Sequence, residues 1–213
     1  MNDDMLARMR HRYGAARLLE ADMAAHPFEQ FRRWLHDVLT AGMAEPNAMV
    51  LATATTDARP SARHVLLKEL DHEGFVFFTN LGSRKAVEIA ANPQVSLCFP
   101  WFAIERQVVV GGRAAEVQRA ETEAYWRTRP RESQIGAWAS RQSTVVASRE
   151  VLEAAAAAVE RQYPDTIPVP EFWGGYRVVP KTMEFWQGGP GRLHDRLRYR
   201  RVDDRWLLER LAP

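Results

Sequence analysis

Ala48-Met49-Val50-Leu51-Ala52-Thr53-Ala54, then Ala62-Arg63-His64-Val65-Leu66-Leu67-Lys68-Glu69-Leu70, then Gly74-Phe75-Val76-Phe77-Phe78-Thr79: these three runs decide the fold. Each is rich in Val, Leu, Phe and Thr, residues that suit a pleated, half-buried strand. The separators Asp57-Ala58-Arg59-Pro60 and Asp71-His72-Glu73-Gly74 carry turn chemistry, so the runs read as antiparallel hairpins. Further along, Gln94–Phe99 and Arg106–Val117 add two strands. Trp173–Val179 with Thr182–Trp186, and Arg196–Val202 with Arg205–Leu211, read as two more hairpins. Short antiparallel strands at this spacing imply a closed or nearly closed barrel.

Helices sit around the strands. Pro27, Phe28, Phe31, Trp34, Leu35, Val38 and Leu39 recur at helical spacing and stop near Gly42. Ser83 is placed to cap a helix over Arg84–Ala90, which Asn92-Pro93 halts. Ala120–Thr128 reads as helix, and Pro130 opens another that runs towards Ser140. A third helix over Ser148–Gln162 is expected to lie over the sheet. The expected class is mainly β with peripheral helices (α+β), as one domain over residues 1–213, with residues 1 to about 25 a polar arm or loose helix.

With 46% hydrophobic residues, seven Trp and nine Phe, the chain can bury a sizeable core. Its net charge of +2 is too mild to mark a nucleic-acid footprint. The single cysteine, Cys98, excludes an intrachain disulfide and a Cys-rich metal site, and in Val95-Ser96-Leu97-Cys98-Phe99 it reads as a small buried hydrophobe. The six histidines show no metal-ligand spacing, so no metal is expected. The acidic start Met1-Asn2-Asp3-Asp4 leads into no apolar signal core, and no run reaches membrane-spanning length. A soluble, cytoplasmic protein with no membrane partner is the expectation.

Chemistry concentrates in a few segments. In Phe185-Trp186-Gln187-Gly188-Gly189-Pro190-Gly191-Arg192-Leu193-His194-Asp195-Arg196, an extended chain would put Arg192, His194 and Arg196 on one face beside an indole, with Asp195 opposite, free to brace the backbone or pair with a cation. Such a row fits an anionic or planar ligand, or an edge strand charged against aggregation. Arg63 and Lys68 stand at odd separation and would face opposite sides of a strand. Arg84 and Lys85 follow Ser83 at a helix start, where free amides and the helix dipole favour phosphate. Tyr125, Arg129 and Ser133 are spaced by four, but Pro130 interrupts, so Arg129 and Ser133 would flank the start of a new helix and could hold a second phosphate. There is no G-x-G-x-x-G, Walker A or nucleophile-elbow motif, so a bound nucleotide would be gripped by side chains.

Together these segments resemble the pyridoxamine 5′-phosphate oxidase family. The residues that carry the resemblance are Arg63-His64-Val65-Leu66-Leu67-Lys68, Phe78-Thr79-Asn80-Leu81-Gly82-Ser83-Arg84-Lys85, Glu105-Arg106-Gln107-Val108, Arg129–Trp138, Phe172-Trp173-Gly174-Gly175-Tyr176-Arg177, Trp186-Gln187-Gly188-Gly189, Arg192–Arg196 and the ending Glu209-Arg210-Leu211-Ala212-Pro213. The resemblance runs in order along nearly the whole chain. It implies an FMN-binding antiparallel split β-barrel and a homodimer with shared active sites. By the same resemblance Arg63, Arg84, Lys85 and Ser143, with Gln142 nearby, hold the FMN phosphate, and the segment His64, Val65, Leu66, Leu67 and Lys68 runs along the cofactor. Phe78, Thr79, Gln107, Trp186 and Arg196 line or contact the flavin, some from the partner subunit. Lys68, Tyr125, Arg129 and Ser133 would take the substrate phosphate, and Arg192 and His194 would meet the pyridine ring as the catalytic pair.

The chain departs from the family pattern at Phe78, where Tyr is frequent, and at His64, where the family is aliphatic. Arg12-Tyr13 fits only loosely. The implied reaction oxidises pyridoxamine 5′-phosphate or pyridoxine 5′-phosphate to pyridoxal 5′-phosphate, with O2 as electron acceptor and H2O2 as product, orientation on the flavin supplying most of the catalysis. Two other readings keep the same fold: a flavin or deazaflavin reductase with another substrate, and a non-catalytic flavin or pyridoxal-phosphate carrier.

Overall fold

The computed structural model of the chain describes Arg8, residues 12–14 and residues 17–213. Of the expected N-terminal arm, residues 1–7, 9–11 and 15–16 lie outside the described residues, and the segment from residue 17 holds a 3₁₀ turn at Glu20–Asp22. Five helices follow: α1 (Pro27–Thr40), α2 (Arg84–Ala91), α3 (Arg119–Thr128), α4 (Arg131–Ala139) and α5 (Arg149–Gln162). The strands are β1 (Ala48–Ala54), β2 (Pro60–Leu66), β3 (Glu69–Leu70), β4 (Phe75–Asn80), β5 (Gln94–Trp101), β6 (Arg106–Glu116), β7 (Trp173–Gln187), β8 (Asp195–Val202) and β9 (Arg205–Leu211). Their order in the sheet is β2-β1-β5-β6-β7-β4-β3, with β8 on β7 and β9 on β8. The hairpin β1–β2 is antiparallel, with Leu51 opposite Arg63.

Two expectations change here. The run Ala62–Leu70 is not one strand: β2 ends at Leu66, Leu67 turns into the core, and β3 resumes at Glu69. Trp173–Trp186 is not a hairpin but one continuous 15-residue strand, β7. Its first half, Trp173–Val178, pairs with β4, and its second half, Thr182–Gln187, pairs with β8. Pro180 sits between the two halves. A proline has no N–H to give a ladder, so it marks where the strand exchanges partners, and in sequence that looks like a turn.

The chain divides into two compact units, one of residues 1–47, 98–110 and 181–213, the other of residues 48–97 and 111–180. In the first unit α1 starts at Pro27, whose missing N–H costs nothing at that position, and the His26 ring accepts from the Phe28 amide. The buried face of α1 presents Phe31, Trp34 and Val38. Phe31 packs edge-on to Phe99 at 4.8 Å between centroids, and Trp34 meets Phe185 at 5.1 Å. The Tyr199 hydroxyl closes this core by donating to the Ala24 carbonyl (2.6 Å). In the second unit Trp126, Ile167 and Trp173 form a buried cluster, and the Trp126 indole N–H donates to the Ile167 carbonyl (2.8 Å). Helix α5 packs against α4 and buries only Val159, because its Ala154–Ala158 run gives helix propensity without a broad apolar stripe for the sheet.

Candidate active site

Between α3 and α4 the chain breaks at Arg129-Pro130, as the sequence implies: α3 ends at Thr128 and α4 begins at Arg131. The break leaves Arg129 turned inward. Its guanidinium lies 4.7 Å from the Trp173 ring and 5.6 Å from Trp126, and one Nη donates to the Ser133 carbonyl (2.7 Å). Its Nε is buried with no hydrogen-bond partner, an exception among native polar groups that points to a missing acceptor. Tyr125, one turn earlier, stacks on Phe78 at 4.1 Å and 13°, and Phe78 stacks in turn on Trp173 at 5.4 Å. Gly175 permits this wall, because a Cβ there would stand 2.7 Å from the Phe78 ring.

These aromatics border a cavity of about 370 Å³ in the second unit. His64, Val65, Leu66, Lys68, Phe78, Thr79, Lys85, Tyr125, Arg129, Ser133 and Gln142 all line it, so most of the expected cofactor and substrate residues of this unit converge. Lys68 lines the cavity while Arg63 does not, but Lys68 lies past the end of β2 at Leu66, so the regular-strand parity read from their spacing does not govern the two. Leu67 is buried and does not line the cavity.

The electrostatics centre on the start of α2. Lys85 is only 7% exposed. Its ammonium donates to Gln142 Oε1 (2.7 Å), Thr79 Oγ1 (3.0 Å) and Ser83 Oγ (3.2 Å), all neutral oxygens. Burial, reinforced by the nearby Arg63 charge, pushes its pKa down to about 8. Ser83 holds the N-cap position of α2 as expected, but its side chain makes no capping hydrogen bond. The Arg84 amide instead donates to the Ser143 hydroxyl (3.1 Å), so the cap comes from a residue far along the chain, held at a left-handed φ of 73°. Arg84 Nε donates to Glu88 Oε1 (2.8 Å), and Arg63 donates to Thr53 Oγ1 (2.6 Å), the Leu51 carbonyl, Ser61 and Glu88. Sequence reading passed over Glu88, although its place four residues after Arg84 was a usable signal. It also passed over Trp173 as a cavity wall.

Gln107, Trp186, Arg192, His194 and Arg196 belong to the first unit. Gln107 is half-buried on β6. The expected single-faced row of Arg192, His194 and Arg196 does not form. Pro190–Arg192 is a tight turn with Gly191 and Arg192 both at positive φ, and the strand begins only at Asp195. Turn geometry thus breaks the two-residue alternation that the row needed. Arg192 is exposed, whereas His194 packs 4.7 Å from Trp186 and its Nδ1 accepts from the Gly189 amide (3.1 Å). With Nδ1 accepting, the neutral ring carries its proton on Nε2. Tyr13 meets both rings edge-on, at 5.1 Å from His194 and 5.7 Å from Trp186. Arg196 is clamped in two-pronged fashion by Glu184 (2.7 and 3.1 Å). Asp195 braces the backbone as expected, accepting from the Leu18 amide (3.0 Å) and pairing with Arg210 (2.6 Å).

An antiparallel sheet with peripheral helices defines the class: a split-barrel protein. One solved structure of that class, a pyridoxamine 5′-phosphate oxidase-related, FMN binding protein from Nostoc punctiforme, shares the fold at a TM-score of 0.70 and 18% identity, over 90% of this chain and 100% of the other. Family comparison then gives the particular lineage. The model described as pyridoxamine 5′-phosphate oxidase matches residues 35–163, and that of the pyridoxine 5′-phosphate oxidase C-terminal dimerisation region matches residues 173–213. The pyridoxine/pyridoxamine 5′-phosphate oxidase of Acidothermus cellulolyticus is 57% identical over 205 residues, 93% of this chain and 91% of the relative. That of Burkholderia lata is 52% identical over 211 residues, 98% and 99%. The crystal structure of PhzG from Burkholderia lata, in complex with tetrahydrophenazine-1-carboxylic acid, matches at a TM-score of 0.88 and 33% identity, over 93% of this chain and 99% of that one. The chain belongs to the pyridoxamine 5′-phosphate oxidase family, and it is an oxidoreductase of that family. Among the described residues no helix is long and apolar enough to cross a membrane.

Proposed function

We propose that the chain oxidises pyridoxamine 5′-phosphate or pyridoxine 5′-phosphate to pyridoxal 5′-phosphate, with FMN as its cofactor and O2 as the final electron acceptor. The observation that carries this reading is one aromatic-walled cavity with two separate cationic groups. Lys85, buried against neutral oxygens only, is one; Arg129, with an unsatisfied buried Nε, is the other. A buried ammonium and a half-buried guanidinium with a buried, unpartnered Nε, neither facing a carboxylate, call for anions, and two of them suit a cofactor phosphate and a substrate phosphate.

The residues fit FMN. Lys85, Arg84, Arg63 and Ser143, with Gln142 beside them, would hold its phosphate, while the segment from His64 to Leu67 and Phe78 and Thr79 border its rings. Bound there, FMN supplies a two-electron acceptor that O2 restores with release of H2O2. The chain's own groups do the rest. Lys68, Tyr125, Arg129 and Ser133 would fix the substrate phosphate and so set the position of its C4′ carbon. Arg192 would orient the ring and offset negative charge gained by the hydride acceptor, and His194 would donate from Nε2 to the ring's phenolic oxygen. An amine substrate leaves an imine that water converts to the aldehyde and ammonia; an alcohol gives the aldehyde directly. Gln107, Trp186 and Arg196, with Arg192 and His194, would come to this cavity from a second copy, in a homodimer with shared sites.

Likeness to PhzG supports a second reading, oxidation of a reduced polycyclic carboxylic acid. It ranks lower because Burkholderia lata supplies both comparisons, and the chain is 52% identical to its pyridoxine/pyridoxamine 5′-phosphate oxidase against 33% for PhzG. Oxygen uptake by the FMN-loaded protein tests both. Uptake with pyridoxamine 5′-phosphate is expected; uptake only with a reduced phenazine carboxylic acid, or with neither, would reject the first reading.

A further inference from the structure

Glu88 is a carboxylate among the cations of a site that should attract anions. It is 5% exposed. Oε2 accepts from Thr53 Oγ1 and Ser61 Oγ, both at 2.5 Å, and pairs with Arg63 at 3.4 Å, while Oε1 accepts from Arg84 Nε at 2.8 Å. Burial alone would raise its pKa, but the hydrogen bonds from Ser61, Thr53 and Arg84 outweigh it and bring the carboxyl to about 2. One residue therefore ties a β2 guanidinium to an α2 guanidinium. Arg84 spends only Nε on this contact, and its two Nη groups make no hydrogen bond to the described residues.

We propose that Glu88 is a positioning residue for the cofactor phosphate: it holds Arg63 and Arg84 together against their mutual repulsion and aims the free edge of Arg84 at the phosphate. The inference rests on the cofactor reading above. Three cations, Arg63, Arg84 and Lys85, against one carboxylate leave two positive charges. That matches a phosphate monoester, about −1.5 to −2 at neutral pH. Without Glu88 two guanidinium groups would have to be ordered by the ligand itself, at a cost in affinity.

Dissociation constants of the apoprotein for FMN and for riboflavin, which lacks the phosphate, provide the test. Glu88→Gln keeps the side chain's size and an acceptor for the two hydroxyls but cannot pin two guanidinium groups. Its FMN affinity is expected to fall on the order of tenfold, the scale of lost second-layer support, with riboflavin affinity unchanged. FMN binding as tight as wild type or tighter, as bare removal of a negative charge would give, overturns the proposal. Equal loss for both flavins overturns it too, since that marks a general structural role. Should Glu88→Gln not fold, Glu88→Asp carries the same comparison with the charge retained and the reach shortened. A wild-type protein that does not discriminate FMN from riboflavin would reject the phosphate site itself, a different failure.

Discussion

Lys85 couples burial to ligand capture at the scale of a single side chain. Its folded pKa of about 8 lies below the ordinary 10.5, so the unfolded chain binds the extra proton across that interval. The contribution of Lys85 to apoprotein stability is therefore full above pH 10.5 and is lost as pH falls through about 8. Phosphate capture needs the opposite, charged form. If only that form binds, the apparent FMN dissociation constant should rise about tenfold from pH 7 to pH 9, where the phosphate itself no longer titrates. Fluorescence titration across this range checks it, and Lys85→Met should bind weakly with no such slope; a flat wild-type curve would remove Lys85 from the phosphate site. At the other anion group, Arg129→Ala should cost roughly 1.5–3 kcal/mol in substrate binding, seen as a raised KM with FMN retained, whereas Arg63→Ala should lose a similar amount in FMN binding. Equal FMN loss in both variants would contradict the division into two phosphates.

Elements show how close packing sets the cavity wall. Phe78 on β4 faces Gly175 on β7 directly in register, and its ring occupies the space a side chain at 175 would need. Gly175→Ala should destabilise the fold by about 1–3 kcal/mol, because the added methyl meets both the Phe78 ring and Val117 and neither lies in open space. A drop in the urea midpoint measures this; an unchanged midpoint would show that the ring can step aside. Such contacts were not legible in the sequence, which marked Gly175 only as part of a motif. The hairpin β1–β2, helix α1 and the α3–α4 break were legible, since alternation, helical spacing and Pro130 act locally. What failed was non-local. Pro180 looked like a turn because nothing nearby reveals that β7 changes partners, and the Ser83 side chain looked like the capping group because the competing hydroxyl of Ser143 lies 60 residues away. The Arg192–Arg196 row failed for a local reason, two successive positive φ angles, which Gly191 announces for itself but not for Arg192.

Across the whole molecule, the candidate residues fall into two groups that the chain keeps in different units. Lys68, Lys85, Arg129 and Gln142 line the cavity of the second unit, whereas Trp186, Arg192, His194 and Arg196 lie in the first, inside the region matched by the family's dimerisation model. On the proposed function these residues of the dimerisation region would serve the reaction, and the site would then be completed by a second copy. Subunit mixing tests this. Lys85→Ala and Arg196→Ala should each be nearly inactive as homodimers, one for want of a phosphate contact and the other for want of a flavin contact. In a mixed dimer with shared sites, one site collects both defects and the other collects neither. Unfolding and refolding an equimolar mixture should therefore restore about a quarter of wild-type activity, since half of the dimers are mixed and one of their two sites is intact. Recovery should vanish when either variant is refolded alone. If the mixture stays as inactive as its components although mixed dimers are present, each site is built from one chain and the shared-site reading fails.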